Sequence, residues 1–176
     1  GGRDHDGQRY HAERLNTHDA NMEGIGMDGK FILIVEDNPD DEEMTLRSLQ
    51  QSGLANDVQV VRDGVEALDF LFGTGPFKGR DTVRQPTVVL LDIKLPKLNG
   101  IDVLKRMRQD ERTRTVPVVI LTSSSEDEDM VKSYDNGANS YVRKPVIFTD
   151  FAKVVHDLGL YWMLLNQVPG KTPFSD

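Results

Sequence analysis

The sequence predicts an α/β fold, a doubly wound five-stranded parallel sheet with helices on both faces. Two observations lead to this prediction. Short runs of β-branched and apolar residues, of which residues 31–35 are the clearest, do not alternate with polar residues and are therefore typical of strands buried on both faces. Amphipathic helical segments separate these runs, and strands that alternate with helices form parallel sheets through right-handed crossovers.

Each element follows from its own local signals. After the first strand, Asn38 and Pro39 suit the cap and the first position of a helix. The acidic residues 40–43 are favoured there by the helix dipole, and Gly53 ends the helix. The same reasoning predicts further strands at 58–61, 87–91, 116–121 and 140–142, and helices at 65–72, 101–109, 126–136 and from 148 towards 165.

Composition and charge narrow the range of functions. The 176 residues carry a formal net charge of −8, which argues against a basic surface for nucleic acid or for an anionic membrane. The absence of cysteine excludes disulfides, zinc–thiolate sites and cysteine nucleophiles. No apolar run approaches the roughly 20 residues of a membrane-spanning helix. A cytoplasmic protein is expected.

The chain divides into a leader at 1–29, a domain at 30–165 and a tail at 166–176. The few apolar residues of the leader are aperiodic and cannot offset the entropy cost of ordering it. The leader is either vector-derived or poorly ordered, or it is a native arm that docks on a partner. Because only about 26 residues follow residue 150, no DNA-binding or enzymatic output domain is expected there.

Chemistry is expected at the carboxyl ends of the strands, where open parallel sheets bind their ligands. The polar residues at or after these ends are Glu36, Asp37, Asp92, Thr122 and Lys144. Three carboxylates repel one another unless a cation joins them, and a set of oxygen ligands favours Mg²⁺. A phosphoryl group on one carboxylate would have its charge neutralised by the metal and Lys144, and would accept a hydrogen bond from Thr122.

Taken singly, these residues also have structural explanations. Glu36 and Asp37 suit the acidic start of a helix, and Asp92 suits a turn. Lys144 alone would be a surface charge, and Tyr141 is as well explained by a static, half-buried aromatic as by a moving part. Only the joint pattern at the strand ends favours a site.

The joint pattern resembles the receiver domains of two-component response regulators, over about residues 30–160. The shared motifs are Glu36-Asp37 after the first strand, Leu90-Leu91-Asp92, the spacing Asp92-x3-Pro96-x3-Gly100, Thr122, and Tyr141-x-x-Lys144-Pro145. The resemblance implies a flavodoxin-like fold. It also implies a protein that takes a phosphoryl group from a histidine kinase and signals by conformational change and protein contacts. Such a protein is not an enzyme, although it can autodephosphorylate.

The resemblance further implies the chemistry of a metal site. Asp92 is the phosphoacceptor. Mg²⁺ is ligated by Asp37, by Asp92 and by the backbone carbonyl of Lys94. Glu36 acts on the ion through a metal-bound water, and it stands where the family more often has Asp.

For the phosphoryl group, the resemblance implies that Lys144 and Thr122 bind its oxygens. Thr122 moves toward the phosphoryl group, and Tyr141 rotates inward to fill the vacated space, so the two form a switch. The peptide bond between Lys144 and Pro145 is expected to be cis.

A narrower resemblance links the chain to the single-domain regulators of bacterial and cyanobacterial phytochromes. It rests on the opening at 36–41, on the long connection 73–86 with its Gly-Pro-Phe, and on the ending at 161–169 with its Tyr-Trp pair. This resemblance implies a phytochrome-type histidine kinase as the partner.

A homodimer is also expected. The run at 160–165 is apolar on all sides, beyond what one helix face needs to cover the sheet. An apolar patch of this kind is usually covered by another surface. The expected interface residues are Tyr161, Trp162, Leu164 and Leu165.

Two alternative functions use similar residues. A magnesium-dependent aspartyl-phosphate phosphatase of the haloacid dehalogenase type needs Asp-x-Asp, whereas Asp92-Ile93-Lys94 lacks the second Asp. A degenerate receiver that serves as a binding module would not need the intact set of acidic, hydroxyl and ammonium groups. A nucleotide-binding protein is disfavoured, because no Gly-rich phosphate loop follows a strand.

Overall fold

The computed structural model describes residues 29–54 and 58–167. The strands and helices in chain order are β1 (Ile32–Val35), α1 (Pro39–Gln51), β2 (Val58–Val61), α2 (Gly64–Phe72), β3 (Val88–Leu91), α3 (Gly100–Gln109), β4 (Val118–Thr122), α4 (Asp127–Asp135), β5 (Ser140–Arg143) and α5 (Phe148–Leu160). A 3₁₀ turn, Gly75–Phe77, follows α2, and a π-helical turn, Tyr161–Leu165, extends α5. The predicted order of elements is confirmed.

The five strands form one parallel sheet in the order β2-β1-β3-β4-β5, which confirms the predicted fold class. Val35 pairs with Val61 on one side and with Leu91 on the other, so the three adjoining strands end level with one another. Because all strands point the same way, their carboxyl ends share one side of the sheet. We call this side the carboxyl edge.

The sheet separates two apolar core layers. Successive side chains of a strand point to opposite faces, so Leu33 and Val35 enter one layer while Ile32 and Ile34 enter the other. The first layer is completed mainly by α2 and α3, through Ala67, Leu71, Val103, Leu104 and Met107. The second is completed by α1, α5 and the π-helical turn, through Leu49, Phe151, Val155, Trp162 and Met163. Burial on both faces explains why the three central strands, β1, β3 and β4, are almost entirely apolar.

Helices α1 and α5 approach each other closely at Gly159. A Cβ atom at this position would lie 2.9 Å from Cδ1 of Leu54 and 3.1 Å from Cδ2 of Leu49. The missing side chain therefore lets α5 continue across α1, which explains why the predicted last helix passes through a glycine.

The long connection between α2 and β3 packs against the first core layer. The guanidinium carbon of Arg80 lies 4.1 Å from the ring centroid of Phe70, and Phe77 meets the same ring edge-on. Gln85 is buried and donates its side-chain amide to two main-chain carbonyls. Because this connection leads into the start of β3, it lies opposite the carboxyl edge.

Most of the predicted leader, residues 1–28, and the predicted tail beyond residue 167 lie outside the described residues. The division into leader, domain and tail therefore stays a prediction. Among the helices that the structure describes, none is long and apolar enough to cross a membrane.

Candidate functional site

Three acidic side chains meet at the carboxyl edge. Glu36 and Asp37 follow β1 and Asp92 follows the adjacent β3, and the pairing of β1 with β3 brings them side by side. One carboxylate oxygen from each residue lies within 4.8 Å of the other two. Glu36 and Asp92 are buried while Asp37 is exposed, so the cluster opens to solvent on one side.

The buried carboxylate of Asp92 is the meeting point of three hydrogen bonds. Oδ1 accepts from the main-chain N–H of Ile93 at 2.6 Å and from the hydroxyl of Thr122 at 2.8 Å. Oδ2 accepts from Nζ of Lys144 at 2.9 Å. Thr122 and Lys144 reach Asp92 because β4 and β5 are the next strands of the sheet. Three of the predicted site residues thus form one hydrogen-bonded group.

Lys144 connects more carboxylates than the sequence indicated. Its buried ammonium forms ion pairs with Glu36, with Asp41 at 2.8 Å and with Asp92 at 2.9 Å. An ammonium has three N–H donors, so each carboxylate can receive one of them. The lysine therefore joins the ends of β1 and β3 to the first turn of α1.

Asp41 is a site residue that sequence reasoning missed. The pattern assigns Asp40 and Asp41 alike to the helix dipole, and both donate their main-chain N–H to the capping side chain of Asn38. Only the side chain of Asp41 turns toward Lys144, whereas Asp40 is exposed. The sequence holds no signal that separates the two residues, because both lie in the first turn of α1 and both suit the helix dipole.

Burial sets the charge states of this group. Burial raises the pKa of Glu36 from its ordinary 4.5 to about 7, and the negative charge of Asp92 adds to the rise although Lys144 opposes it. Burial alone would lower the pKa of Lys144, but the charge of Asp92 and the hydrogen bonds that Lys144 donates to Asp41 and Glu36 outweigh it and raise that pKa. The lysine therefore stays a cation, and Glu36 is the group that can bind a proton near neutral pH.

The turn after Asp92 has little free space. A Cβ atom at Gly100 would lie 2.1 Å from the carbonyl oxygen of Asp92, so the turn requires glycine there. Lys97 has a left-handed backbone with φ of 65°, which is uncommon for a residue with a side chain. Its ammonium donates to Asp63, the cap of α2, at 2.6 Å and so ties the turn to a neighbouring helix. The carbonyl of Lys94 as a metal ligand stays a prediction.

A chain of hydrogen bonds leads from the site to α4. The hydroxyl of Thr122 accepts from the main-chain N–H of Ser124 at 3.2 Å, and the Ser124 hydroxyl donates to Asp129 in the first turn of α4 at 2.7 Å. Tyr141 lies on β5, which packs against α4. Its hydroxyl is buried without a hydrogen-bond partner in the described part of the chain, and burial raises its pKa. The movement of Thr122 and Tyr141 stays a prediction.

The residues expected at a dimer interface divide into two groups. Tyr161, Leu164 and Leu165 are exposed, and Leu165 has 71% of its surface open. Trp162 is buried in the second core layer, and together with Tyr161 it lines a groove of about 540 Å³ beside β5. The interface itself stays a prediction.

The expected cis peptide bond before Pro145 is wrong. The described residues contain no cis peptide bond, so the bond from Lys144 to Pro145 is trans. The trans form is favoured by about 0.5–1 kcal/mol for bonds that precede proline, and the sequence pattern holds no signal that overrides this preference.

The arrangement suits the transfer of an anionic group to Asp92. A carboxylate nucleophile stands beside a hydroxyl donor and a buried ammonium, which can neutralise negative charge on the incoming group. The neighbouring acidic cluster offers only oxygen ligands and is open on one side, which fits a hard divalent cation.

Comparisons with known proteins identify the family to which the fold and the sequence are similar. The family model of the response regulator receiver domain matches residues 32–156. The probable methanogenesis regulatory protein FilR2 of Methanothrix harundinacea is 39% identical over 140 residues, 80% of this chain and 88% of the relative. The response regulator Rcp1 of Synechocystis is 32% identical over 140 residues, 80% of this chain and 93% of the relative.

Solved structures point to the same group of proteins. The phosphorylated cyanobacterial phytochrome response regulator RcpA superposes with a TM-score of 0.74 at 31% identity, covering 80% of this chain and 99% of its own. The Mn²⁺-bound form of Rcp1 gives 0.73 at 31% identity, with 80% and 99% covered. The bacteriophytochrome response regulator AtBRR gives 0.62 at 51% identity, with 78% and 98% covered.

The raised pKa of Glu36 predicts a pH dependence of stability in metal-free buffer. A carboxyl group whose pKa is higher in the folded than in the unfolded state stabilises the fold fully below its ordinary pKa of 4.5 and loses that contribution as the pH rises through about 7. We expect the free energy of unfolding to fall between pH 5 and pH 8 by an amount on the order of 2 kcal/mol from this group. Urea unfolding in the presence of EDTA measures it.

The control for this prediction is a pair of variants. Glu36→Gln removes the titrating group and should flatten the slope, whereas Glu43→Gln, which changes an exposed residue of α1, should keep it. An equal slope in Glu36→Gln and in the wild-type protein would contradict the prediction.

Proposed function

The chain belongs to the response regulator receiver family, and on that premise we propose that it accepts a phosphoryl group from a histidine kinase on Asp92. The observation that carries this proposal is the contact between the buried carboxylate of Asp92 and both Thr122 and Lys144. In the proposed reaction a carboxylate oxygen of Asp92 forms a bond to phosphorus while the P–N bond of a phosphohistidine breaks. The electron pair of that bond stays on the imidazole nitrogen of the kinase.

Such a transfer is accelerated mainly by positioning and by charge neutralisation, because the transition state is loose and its charge is spread over the phosphoryl oxygens. Lys144 neutralises part of that charge, and Thr122 donates a hydrogen bond to one of the oxygens. Both groups already contact the accepting carboxylate, so little movement is needed before the transfer.

Asp37, Asp92 and the carbonyl of Lys94 would hold a Mg²⁺ ion, with Glu36 binding through water, and the ion would supply further positive charge to the phosphoryl oxygens. The acidic cluster supports this assignment, because its three carboxylates offer oxygen atoms within 4.8 Å of one another and the single charge of Lys144 does not balance them. A divalent ion in the solved Mn²⁺-bound form of the relative Rcp1 is consistent with it.

The signal would leave the site through α4. A phosphoryl group adds about −1.5 to −2 charges beside Thr122 and attracts its hydroxyl. A movement of Thr122 toward that group would withdraw the acceptor of the Ser124 N–H, and Ser124 is bonded to Asp129 of α4. Tyr141 would take the vacated space. Hydrolysis of the aspartyl phosphate by water, which breaks the O–P bond and regenerates Asp92, would return the chain to its starting state.

We also propose that the donor is a phytochrome-type histidine kinase of the cytoplasm. The relatives RcpA and AtBRR are phytochrome and bacteriophytochrome response regulators by name, and AtBRR is 51% identical to this chain. An exposed apolar segment follows Lys144 at the carboxyl edge, with Val146 fully open, Ile147 62% exposed and Phe148 42% exposed. Such a segment beside the acceptor suits the docking of a protein rather than of a small molecule.

A second copy of the chain is the partner that we propose for the C-terminal apolar surface. Tyr161, Leu164 and Leu165 project from the π-helical turn next to the groove beside β5. In the described part of the chain β5 is the last strand of the sheet, and no further described strand covers this side. Pairing of two copies would bury both the exposed side chains and the groove.

Phosphorylation of the isolated protein tests the proposed acceptor. With acetyl phosphate and Mg²⁺, we expect intact-mass measurement to show the addition of one phosphoryl group to the wild-type protein and none to Asp92→Asn, which lacks the nucleophile. EDTA and Asp37→Asn should each slow the reaction, because they remove the cation or one of its ligands. No adduct on the wild-type protein, or an adduct on Asp92→Asn, would contradict the proposal.

Transfer from phosphorylated kinases tests the proposed partner. We expect faster transfer from a phytochrome-type kinase than from a chemoreceptor-coupled kinase. Ile147→Glu should slow transfer from the phytochrome-type kinase while the reaction with acetyl phosphate is unchanged, because only a protein donor contacts this segment. Val83→Glu is the matched control, since Val83 is 88% exposed at the opposite edge. Equal rates from both kinases would count against the proposed partner.

Sedimentation of the full chain tests the proposed dimer. We expect the wild-type protein to be dimeric at tens of micromolar, and Leu165→Arg to be monomeric, because a buried guanidinium without a partner opposes association. Val83→Arg adds the same charge far from the surface and should remain dimeric. A monomeric wild-type protein, with and without phosphorylation, excludes this interface.

A further inference from the structure

Asp41 contacts Lys144 from helix α1, which carries none of the three residues of the acidic cluster. Its carboxylate Oδ2 lies 2.8 Å from Nζ of Lys144, and its side chain is 21% exposed. The residue belongs to the first turn of α1, whereas the acidic cluster comes from the ends of β1 and β3. The contact therefore joins the lysine to a separate part of the fold.

The three carboxylates that accept hydrogen bonds from Lys144 in the described structure have different roles in the proposed phosphoryl transfer. Asp92 becomes the phosphorylated residue, so its carboxylate oxygens change their bonding in the reaction. Glu36 lies in the acidic cluster with Asp37 and Asp92 and would take part in binding the cation. Asp41 lies outside that cluster and is the one acceptor of Lys144 that can hold the ammonium from start to finish.

The backbone around Asp41 is firmly held. The side chain of Asn38 accepts the main-chain N–H of Asp41 at 3.2 Å, and the carbonyl of Asp41 accepts the hydroxyl of the buried Thr45 at 2.8 Å. Pro39 at the first position restricts the same turn, and α1 packs along α5. A carboxylate on such a turn can fix the position of a flexible lysine side chain.

We propose that Asp41 is a positioning residue that holds the ammonium of Lys144 beside Asp92 during phosphoryl transfer. This inference rests on the proposed function of Asp92 and adds a residue to that site. Asp41 does not touch the phosphoryl group and acts through Lys144. Without it, the lysine side chain loses its fixed anchor, and fewer molecules have the ammonium in place when the donor arrives.

The adjacent residue provides a matched control. Asp40→Asn and Asp41→Asn make the same change of charge and size, one residue apart in the same helical turn, and both leave the main-chain bonds to Asn38 available. Asp40 is exposed and does not contact Lys144 in the described structure. Any effect of net charge or of the helix dipole should therefore appear in both variants, and an effect through Lys144 only in Asp41→Asn.

The experiment compares the rates at which acetyl phosphate phosphorylates the full chain at saturating Mg²⁺. We expect Asp41→Asn to react roughly tenfold more slowly than the wild-type protein, because a displacement of about 1 Å in a positioned group can cost up to about 100-fold in rate. Asp40→Asn should react at the wild-type rate. Urea unfolding of both variants checks that the slow variant is folded.

A spectroscopic readout separates positioning from a general structural effect. The ¹⁵Nζ–Hζ signal of a buried, ion-paired lysine ammonium is visible by NMR, and Lys144→Met identifies it by its loss. We expect this signal to persist in Asp40→Asn and to shift or broaden in Asp41→Asn while the main-chain amide signals of the core layers stay in place.

The outcomes distinguish this inference from the proposed function. If the wild-type protein takes up no phosphoryl group, the proposed function fails. If the wild-type protein is phosphorylated but Asp41→Asn and Asp40→Asn react equally fast, the inference alone is overturned. A faster reaction of Asp41→Asn would also overturn it, because Asp41 would then act mainly by repelling the incoming anion.

Discussion

The ammonium of Lys144 is the group on which the rest of the carboxyl edge depends. A buried ammonium without partners would be strongly destabilising, and so would the buried carboxylates that surround it. Glu36, Asp41 and Asp92 reach it from β1, α1 and β3, while the lysine itself follows β5. One cation therefore joins four elements, and removing it would leave several buried negative charges unpaired.

The parallel sheet brings these charges together. Glu36 and Lys144 are 108 residues apart in sequence, yet both follow strands that end at the same edge. The apolar layers below the edge fix the strands, and the turns above it are held where backbones nearly touch, as at Gly100 against Asp92. The positions of the polar side chains at the edge thus depend on an apolar core to which these side chains do not belong.

Local patterns explain what the sequence could predict. Apolar runs and the cap at Asn38 depend on neighbours in the chain, so the element order and fold class follow from them. Asp92 and Lys144 could be identified because each stands directly after a strand. Asp41 could not be told from Asp40, because the direction of each side chain depends on how α1 sits on the sheet. Trp162 and Leu165 likewise share an apolar run, and only the packing of the π-helical turn on the second core layer distinguishes the buried Trp162 from the exposed Leu165.

The side chains at the site carry more negative than positive charge. Glu36, Asp37, Asp41 and Asp92 contribute four formal negative charges and Lys144 one positive charge, which leaves −3. Burial is the main cause of the raised pKa of Glu36, and the negative charge of Asp92 adds to it. Apolar residues in place of such a group would often be neutral or stabilising for folding, so stability alone does not account for it. In the proposed transfer the incoming phosphoryl group is itself an anion, so this excess would repel it unless a cation neutralised part of the charge. Under the proposed function, the same excess would make acceptance of the phosphoryl group depend on a bound cation.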